Sequence, residues 1–132
     1  MSELIWEGEV DLNRPFFVIA LEGLFDAAGA ATHAVDRLVD SYEAKPLAHI
    51  EPEIFFNFQE ERPIVRINKG EREIVWPSNS IWAASCPNEN HDLVLLSGVE
   101  PHLRWKTFAD SLLEVARSTN AEMVITVGAM AG

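Results

Sequence analysis

The feature that most constrains this fold is an uninterrupted apolar run at residues 93–96, which leads into a short loop and a helical pattern. A strand without a polar face must be covered on both sides, as is typical of a central strand in a parallel sheet. Ser97 and Gly98 end the run. Pro101 then predicts the first turn of a helix, because proline lacks the N–H group that would go unpaired there. This order predicts an α/β domain.

Two further apolar runs, at residues 16–21 and 123–127, predict a second and a third buried strand. A helical stripe of Ala31, Val35 and Leu38 follows the first of these strands, and Asp26 is the predicted N-cap of that helix. A second stripe, which begins at Trp105 and runs on through residues 108, 112 and 115, precedes the last strand. Strand, helix and strand from 93 to 127 therefore predict a parallel crossover.

A β-hairpin is predicted between these units. Residues 64–67 and 72–76 flank a turn in which Gly70 can take a positive φ, as a three- or four-residue hairpin loop requires. Charged and apolar residues alternate along both strands. The sequence therefore predicts that the hairpin shows one face to water.

The composition limits the class of protein and its partners. With 48% apolar and 23% charged residues, the chain has the balance of a globular protein, and we predict one domain over residues 1–132. The net charge of −11 opposes binding to phosphate backbones and to anionic lipid, so we predict neither a nucleic-acid nor a membrane partner. Cys86 is the only cysteine, which excludes an internal disulfide and favours the cytoplasm.

Each of the three apolar strands is followed by a loop that contains glycine. In an open parallel sheet, ligands bind outside the carboxyl ends of the strands. If the three strands are parallel, one edge collects five polar side chains: Glu22, Asp26, Glu100, His102 and Arg104. Two interpretations stay open. The loops form a pocket for a small polar ligand, or they are tight turns in which Asp26 only caps a helix.

Arg104 is unusual in this loop set, because a cation in the first turn of a helix faces the positive end of the helix dipole. Glu100 stands four residues earlier and is predicted to pair with Arg104. Such an ion pair either stabilises the loop locally or is presented to a binding partner.

The chain shows no arrangement typical of cofactor, metal or covalent chemistry. The glycines around Asp26 match neither a dinucleotide fingerprint nor a phosphate-binding loop. The four histidines lack metal-ligand spacing, and no serine stands in a nucleophile elbow. We therefore predict no cofactor and no metal site.

Exposed apolar surface is predicted in two places. No helix pattern follows strand 123–127, so part of the sheet should lack its cover. Aromatic residues at 55–58 and 76–82 lie in the segment that the helices protect least. Because such patches usually mark an interface, we expect the chain to associate with itself as a homo-oligomer.

Three segments stand in the order and spacing of a known family. They are Glu-Gly-Leu-Phe-Asp-Ala-Ala-Gly-Ala-Ala at 22–31, Asn-Phe-Gln-Glu-Glu-Arg-Pro at 57–63, and Gly-Val-Glu-Pro-His-Leu-Arg-Trp at 98–105. Together they resemble the actinobacterial branch of the proteasome assembly chaperone family. The resemblance covers nearly all of residues 15–132 but only the amino-terminal part of the family's usual chain. It implies that these residues are the amino-terminal part of a longer protein.

The resemblance implies a three-layer α/β/α fold with a mixed, mostly parallel sheet, similar to nucleoside phosphorylases and hydrolases, together with the β-hairpin. It also implies a non-enzymatic protein-interaction or assembly-chaperone-like domain, whose partner is another protein or a second copy. The alternative is a small-ligand-binding or nucleoside phosphorylase/hydrolase-like enzyme that uses the loops after the parallel strands. The candidate ligand or interface residues are Glu22, Asp26, Arg62, Glu100, His102, Arg104 and Trp105.

Overall fold

A computed structural model describes residues 3–23, 26–59 and 62–131. In chain order the elements are β1 (Leu4–Trp6), β2 (Phe16–Glu22), α1 (Ala30–Ser41), β3 (Lys45–Ile50), β4 (Ile64–Asn68), β5 (Glu71–Val75), β6 (Asn79–Ala84), β7 (Leu93–Val99), α2 (Trp105–Ser118) and β8 (Met123–Thr126). A 3₁₀ turn, Ala27–Gly29, precedes α1. Neither of the two described α-helices is long and apolar enough to cross a membrane.

Six strands form one mixed sheet in the order β1-β3-β6-β7-β2-β8. The strand β2 is central to its parallel part, because it pairs in parallel with β7 on one side and with β8 on the other. The strands β6 and β3 continue the sheet through antiparallel pairs, and β1 forms its far edge. This arrangement confirms the predicted α/β class and its mixed sheet. Two of the five strand pairs are parallel and three are antiparallel, so the parallel part of the sheet is smaller than predicted. The crossover from β7 through α2 to β8 passes over β2.

The two helices cover opposite faces of the sheet, which gives three layers. Along β2 the side chains alternate: Phe17 and Ile19 belong to a core cluster that contains Phe108 of α2. Val18 and its neighbour Ala20 belong to a second cluster, with residues 31 and 35 of α1. A strand that is buried on both faces needs apolar residues at every buried position, and β2 has them from Phe16 to Leu21.

The last strand, β8, differs from its prediction. We expected a strand buried on both faces, but Met123 and Val124 are 52% and 48% exposed. The reason is its position, because β8 pairs with β2 alone and lies at the end of the sheet order. The accompanying expectation, that this end of the sheet lacks a cover, agrees with these exposures.

The hairpin of β4 and β5 is a separate two-stranded sheet. Lys69 and Gly70 both have positive φ, at 54° and 82°, so the connection is a two-residue turn of the kind that matches strand twist. It is shorter than the predicted loop. Every residue of β4 is exposed, so the hairpin shows both faces to water and not one. It does so because neither strand joins the main sheet.

The aromatic segment at 55–58 is also more buried than predicted. Phe55 and Phe56 lie in the core with 0% and 4% exposure. Phe55 meets Phe108 of α2 edge-on, with the ring centroids 5.5 Å apart. The prediction of an exposed cluster is therefore wrong for these two rings. It is correct for Trp76, which is one of the exposed large side chains.

Candidate interaction site at the strand ends and the hairpin

The loops after β2, β7 and β8 meet at one edge, as the parallel pairing requires. The backbone N–H of Glu100 donates to the carbonyl oxygen of Glu22 at 2.9 Å. The N–H of Ala27 donates to the carbonyl oxygen of Ala129 at 3.1 Å, next to a parallel bridge between Asp26 and Ala129. The predicted convergence of the three loops is confirmed.

Asp26 is buried at this edge, and both of its carboxylate oxygens are engaged. Oδ1 accepts from the backbone N–H groups of Ala31 and Thr32 at 2.8 and 3.0 Å, and Oδ2 accepts from the Thr32 hydroxyl at 2.7 Å. The N-cap of α1 is Gly29 and not Asp26 as predicted, because the 3₁₀ turn intervenes; the two donors therefore stand five and six residues after Asp26. Burial raises the pKa of Asp26, but these hydrogen bonds outweigh it and hold the pKa below its ordinary value. This geometry is that of a helix cap.

Glu100 and Arg104, both described residues, form no ion pair, so the predicted pairing is wrong. The helix α2 begins at Trp105 and not at Pro101, and Arg104 is its N-cap with φ at 56°. Residues four apart face each other only when both belong to one helix. The Glu100 side chain instead lies against Gly23, where a Cβ would stand 2.2 Å from the Glu100 carboxyl carbon.

His102 fastens the 55–57 segment to the loop after β7. Its Nδ1 accepts from the backbone N–H of Asn57 at 2.9 Å, and its ring meets Phe56 edge-on at 5.6 Å. The backbone N–H groups of His102 and Leu103 both donate to the carbonyl oxygen of Phe55, at 2.7 and 3.0 Å. These contacts join two of the three segments on which the family resemblance rests, and they use the imidazole in a structural role.

Trp105 and Arg62 both lie on the surface. Trp105 is 52% exposed, so the inward stripe of α2 begins at Phe108, one turn later than predicted. Arg62 directs its Nε to the carbonyl oxygen of Gln59 at 3.3 Å. These two side chains are therefore open to a partner, as is the exposed side chain of Arg104.

A cavity of about 310 Å³ opens between the loop edge and the base of the hairpin, and Glu22 and Arg62 both line it. The rest of its wall comes from Thr32, Asp36, Ile64, residues 75–78 and residues 97–99. Glu100 and Arg104 are not part of it. A cavity that enclosed Glu100 would have favoured a ligand pocket, and the structure has instead placed that side chain against Gly23. Within the described ranges, no group of three or more His, Cys, Asp or Glu residues could hold a metal ion.

Asn79, which is 1% exposed, was not among the predicted site residues. Its Nδ2 donates to the carbonyl oxygen of Val99 at 3.2 Å, and its Oδ1 accepts from the Val99 N–H at 3.1 Å. The amide therefore holds the start of the loop after β7. The signal in the sequence was Gly98, which has no side chain and follows Ser97 at the end of a strand that is apolar up to Leu96.

The hairpin exposes four aliphatic side chains beside this edge. Ile64, Val65, Ile67 and Ile74 are 65%, 63%, 75% and 57% exposed. We call β4, β5 and their turn (residues 64–75) the hairpin arm. Contiguous apolar surface of this kind marks an interaction site more often than a ligand pocket.

Comparison with known proteins agrees with the fold and with the resemblance. The sequence profile of the PAC2 family matches residues 20–132. A PAC2 family protein from Streptomyces avermitilis is 36% identical, with a TM-score of 0.84 over 89% of this chain and 51% of that chain. A proteasome-assembly chaperone homologue from Mycobacterium tuberculosis is 38% identical, with a TM-score of 0.74 over 86% of this chain and 48% of that chain.

A more distant structure has the same fold. An archaeal proteasome activator from Pyrococcus furiosus is 19% identical, with a TM-score of 0.69 over 96% of this chain and 51% of that chain. The chain thus spans about half the length of these relatives. No curated protein matches it. That the 132 residues are the amino-terminal part of a longer protein stays a prediction.

Proposed function

We propose that this chain, which belongs to the PAC2 family, is a non-enzymatic protein-interaction domain of the assembly-chaperone type. Two findings support the proposal. The proteasome-assembly chaperone homologue of Mycobacterium tuberculosis shares 38% of its residues with this chain. At the loop edge, the Asp26 carboxylate caps the first turn of a helix and Nδ1 of His102 fastens a loop, so both groups have structural roles.

The observation that carries the proposal is the exposure of the hairpin arm. A two-stranded hairpin is marginally stable by itself in water, and this arm leaves four large aliphatic side chains more than half exposed. Removing such side chains from water is favourable, at roughly 25 cal/mol per Å² of apolar surface. The arm is therefore built for contact with another protein surface.

We take the partners to be proteasome subunits or their assembly intermediates, and we place the encounter in the cytoplasm. The partner class follows from the relative named above. The compartment is supported by Cys86, which is buried as a free thiol. We also propose that the chain works as a homo-oligomer, because the exposed aliphatic residues can serve a second copy as well as a different partner.

The test is to place a photo-cross-linking amino acid at position 67, in place of Ile67, and to mix the chain with purified proteasome subunits of its source organism. Ile67 is 75% exposed, so the replacement should leave the fold intact. We expect a cross-linked product with one subunit, which mass spectrometry identifies. An excess of the unlabelled chain should reduce the yield of this product.

The matched control carries the same amino acid at Asp40, an exposed position on α1 that does not line the cavity at the base of the arm. Cross-linking from position 40 as efficient as from position 67 would show that contact with the arm is not specific. Failure of position 67 to cross-link any subunit, with the label reactive and the chain folded, would contradict the proposed partner.

A further inference from the structure

The cavity of about 310 Å³ at the loop edge lies where the two crossovers of the sheet leave in opposite directions. The strand β3 is antiparallel to β6, and β6 to β7, so β3 runs in the same direction as β2. The crossover from β2 through α1 to β3 therefore passes over β7 and β6, whereas the crossover from β7 through α2 to β8 passes over β2. The carboxyl ends of β2 and β7 flank this reversal, which is where open α/β sheets bind their ligands.

All three segments on which the family resemblance rests reach this cavity. The first contributes Glu22, the second contributes Arg62, and the third contributes Gly98 and the residue after it. These segments are far apart in the sequence and come together only in the fold. Loops that a rigid sheet brings to one place are the usual components of a binding site.

The wall of the cavity carries both signs of charge. The carboxylates of Glu22 and Asp36 come from the end of β2 and from α1, and the guanidinium of Arg62 comes from the segment before β4. Asp36 and Arg62 are both exposed, and among the described residues no ion pair joins them. A ligand with a cation at one end and an anion at the other would satisfy both signs through charge-assisted hydrogen bonds.

The hairpin base gives the same cavity an apolar wall. Ile64 and Val75 are opposite each other in the strand register, and Trp76 and Pro77 follow them. Trp76 is 48% exposed, so its ring is accessible to a ligand. The volume stands at the lower end of the range for ligand pockets, about 300–1,000 Å³. The ligand is therefore small, with an apolar portion as well as its charges.

We propose that this cavity binds a small zwitterion, a free amino acid or a dipeptide with an apolar side chain. The ligand carboxylate pairs with Arg62, its ammonium group lies at Glu22 and Asp36, and its side chain packs on Trp76. A nucleotide or other phosphate ester is a poor fit, because two of the three charged side chains at the cavity are acidic and the chain has a net charge of −11. The site binds its ligand without making or breaking a bond.

This inference goes beyond the proposed function and does not depend on it. Successive residues of a strand point to opposite sides, so Ile64 and Val75 lie on one side of the hairpin arm and Val65, Ile67 and Ile74 lie on the other. The cavity uses the first side. Position 67, where the contact with a protein partner is tested, is on the second, so both contacts can exist together.

The test compares ligands from which one charge has been removed. The isotope-labelled chain is titrated with leucine, phenylalanine, tryptophan and leucyl-leucine, and its amide signals are followed by NMR. At least one of these ligands should bind saturably, with a dissociation constant of about 1 mM or below. Its N-acetyl form lacks the ammonium group and its amide form lacks the carboxylate, so each should bind about tenfold more weakly or worse.

Two variants of the chain assign the ends of the ligand. Arg62→Gln should weaken binding of the zwitterion by about tenfold but change that of the amide form by less than about threefold, because the amide has no carboxylate to lose its partner. Asp36→Asn should weaken binding of the zwitterion by about fivefold or more, since Glu22 remains, and change that of the N-acetyl form by less than about threefold.

Arg37→Gln and Asp40→Asn are the matched controls. Both residues are exposed on α1 and neither lines the cavity. These variants remove the same charges and should change the dissociation constant by less than about twofold, because solvent and salt screen charges outside the site. The amide signals of residues 97–99 should shift during the titration of the parent chain. Urea denaturation shows whether each variant is folded.

Three results would overturn the inference. The first is that none of the four ligands binds saturably in the millimolar range. The second is that the blocked ligands bind as well as the zwitterion, or that Arg62→Gln and Asp36→Asn bind it as the parent does, because the charges are then not recognised. The third is that signal shifts spare residues 97–99, which places the ligand elsewhere. Cross-linking from position 67 is measured separately, so failure of this inference is distinguishable from failure of the proposed function.

Discussion

The side-chain amide of Asn79 fills the space that a side chain at Gly98 would need. A Cβ built on Gly98 would lie 1.9 Å from Asn79 Oδ1, well inside van der Waals contact. The same amide exchanges two hydrogen bonds with the backbone of Val99. This contact joins β6 to β7 at the point where the sheet ends and the loop edge begins, so the position of that edge depends on a residue that has no side chain.

We expect Gly98→Ala to lower the free energy of unfolding by about 1–3 kcal/mol, the usual cost of overpacking a core. We expect Asn79→Ala to lower it by about 1–3 kcal/mol as well, because the partly buried Val99 N–H and C=O lose their partners. The double variant should lose less than the sum, since removal of the amide makes room for the new methyl group. Urea denaturation measures the three values. Strictly additive losses would show that the two residues do not compete for one space.

Asp26 should stabilise the fold as a helix cap. Asp26→Ala removes the acceptor for the Ala31 and Thr32 N–H groups and should cost about 1 kcal/mol. Asp26→Asn should cost less, because its amide oxygen can still accept from both groups. Thermal melting of the two variants compares them. If both leave stability unchanged but abolish binding of a partner, Asp26 is a recognition residue and not a cap.

The depressed pKa of Asp26 also predicts how stability depends on pH. A carboxyl whose pKa is lower in the folded state contributes stability above its unfolded pKa, about 4. That contribution is lost as the pH falls through the lower folded value. The difference in unfolding free energy between the parent and Asp26→Asn should therefore shrink between neutral pH and strongly acidic pH. A difference that stays constant over this range would contradict the assignment.

The inward face of α2 can be tested with one pair of aromatic residues. Phe108→Ala should lower the free energy of unfolding by about 3–5 kcal/mol, because Phe108 is buried against Phe55. Trp105→Ala should change it by less than about 0.5 kcal/mol, because Trp105 is half exposed. Chemical denaturation of both variants decides the matter. If Trp105→Ala were the more destabilising of the two variants, α2 would have to be rotated so that Trp105, and not Phe108, faces the core.

The backbone pattern was readable from the sequence because apolar runs and turn residues act locally. Residues 93–96 and 16–21 had no polar face, and β7 and β2 are indeed central strands. The Asn-Lys-Gly sequence at 68–70 likewise predicted a hairpin. The family resemblance lay in three segments, two of which meet through His102 and Asn57.

The remaining features depend on tertiary structure, which local patterns do not contain. The strand β8 is as apolar as β7, and only the strand order places it at an edge. Both faces of the hairpin are exposed because β4 and β5 do not join the main sheet. The alternation of charged and apolar residues along these strands does not reveal which sheet they belong to. Asn79 reads as a polar turn residue, and its burial is decided by Gly98 on a neighbouring strand.

The last prediction concerns Arg104, which holds a left-handed backbone conformation as the N-cap of α2. That conformation costs a residue with a Cβ on the order of 1 kcal/mol, but asparagine tolerates it better, because its short polar side chain can hydrogen-bond to the nearby backbone. Arg104→Asn should therefore raise the free energy of unfolding by about 0.5–1 kcal/mol, whereas Arg104→Ala, which keeps the strain, should leave it nearly unchanged. Urea midpoints compare the two variants. A loss of stability in both would mean that the arginine side chain holds the loop through a contact of its own. The predicted gain would mean that the Arg104 side chain is not required for stability. Contact with a partner would then remain as its role, and the Arg104→Asn variant can be compared with the parent in the cross-linking experiment.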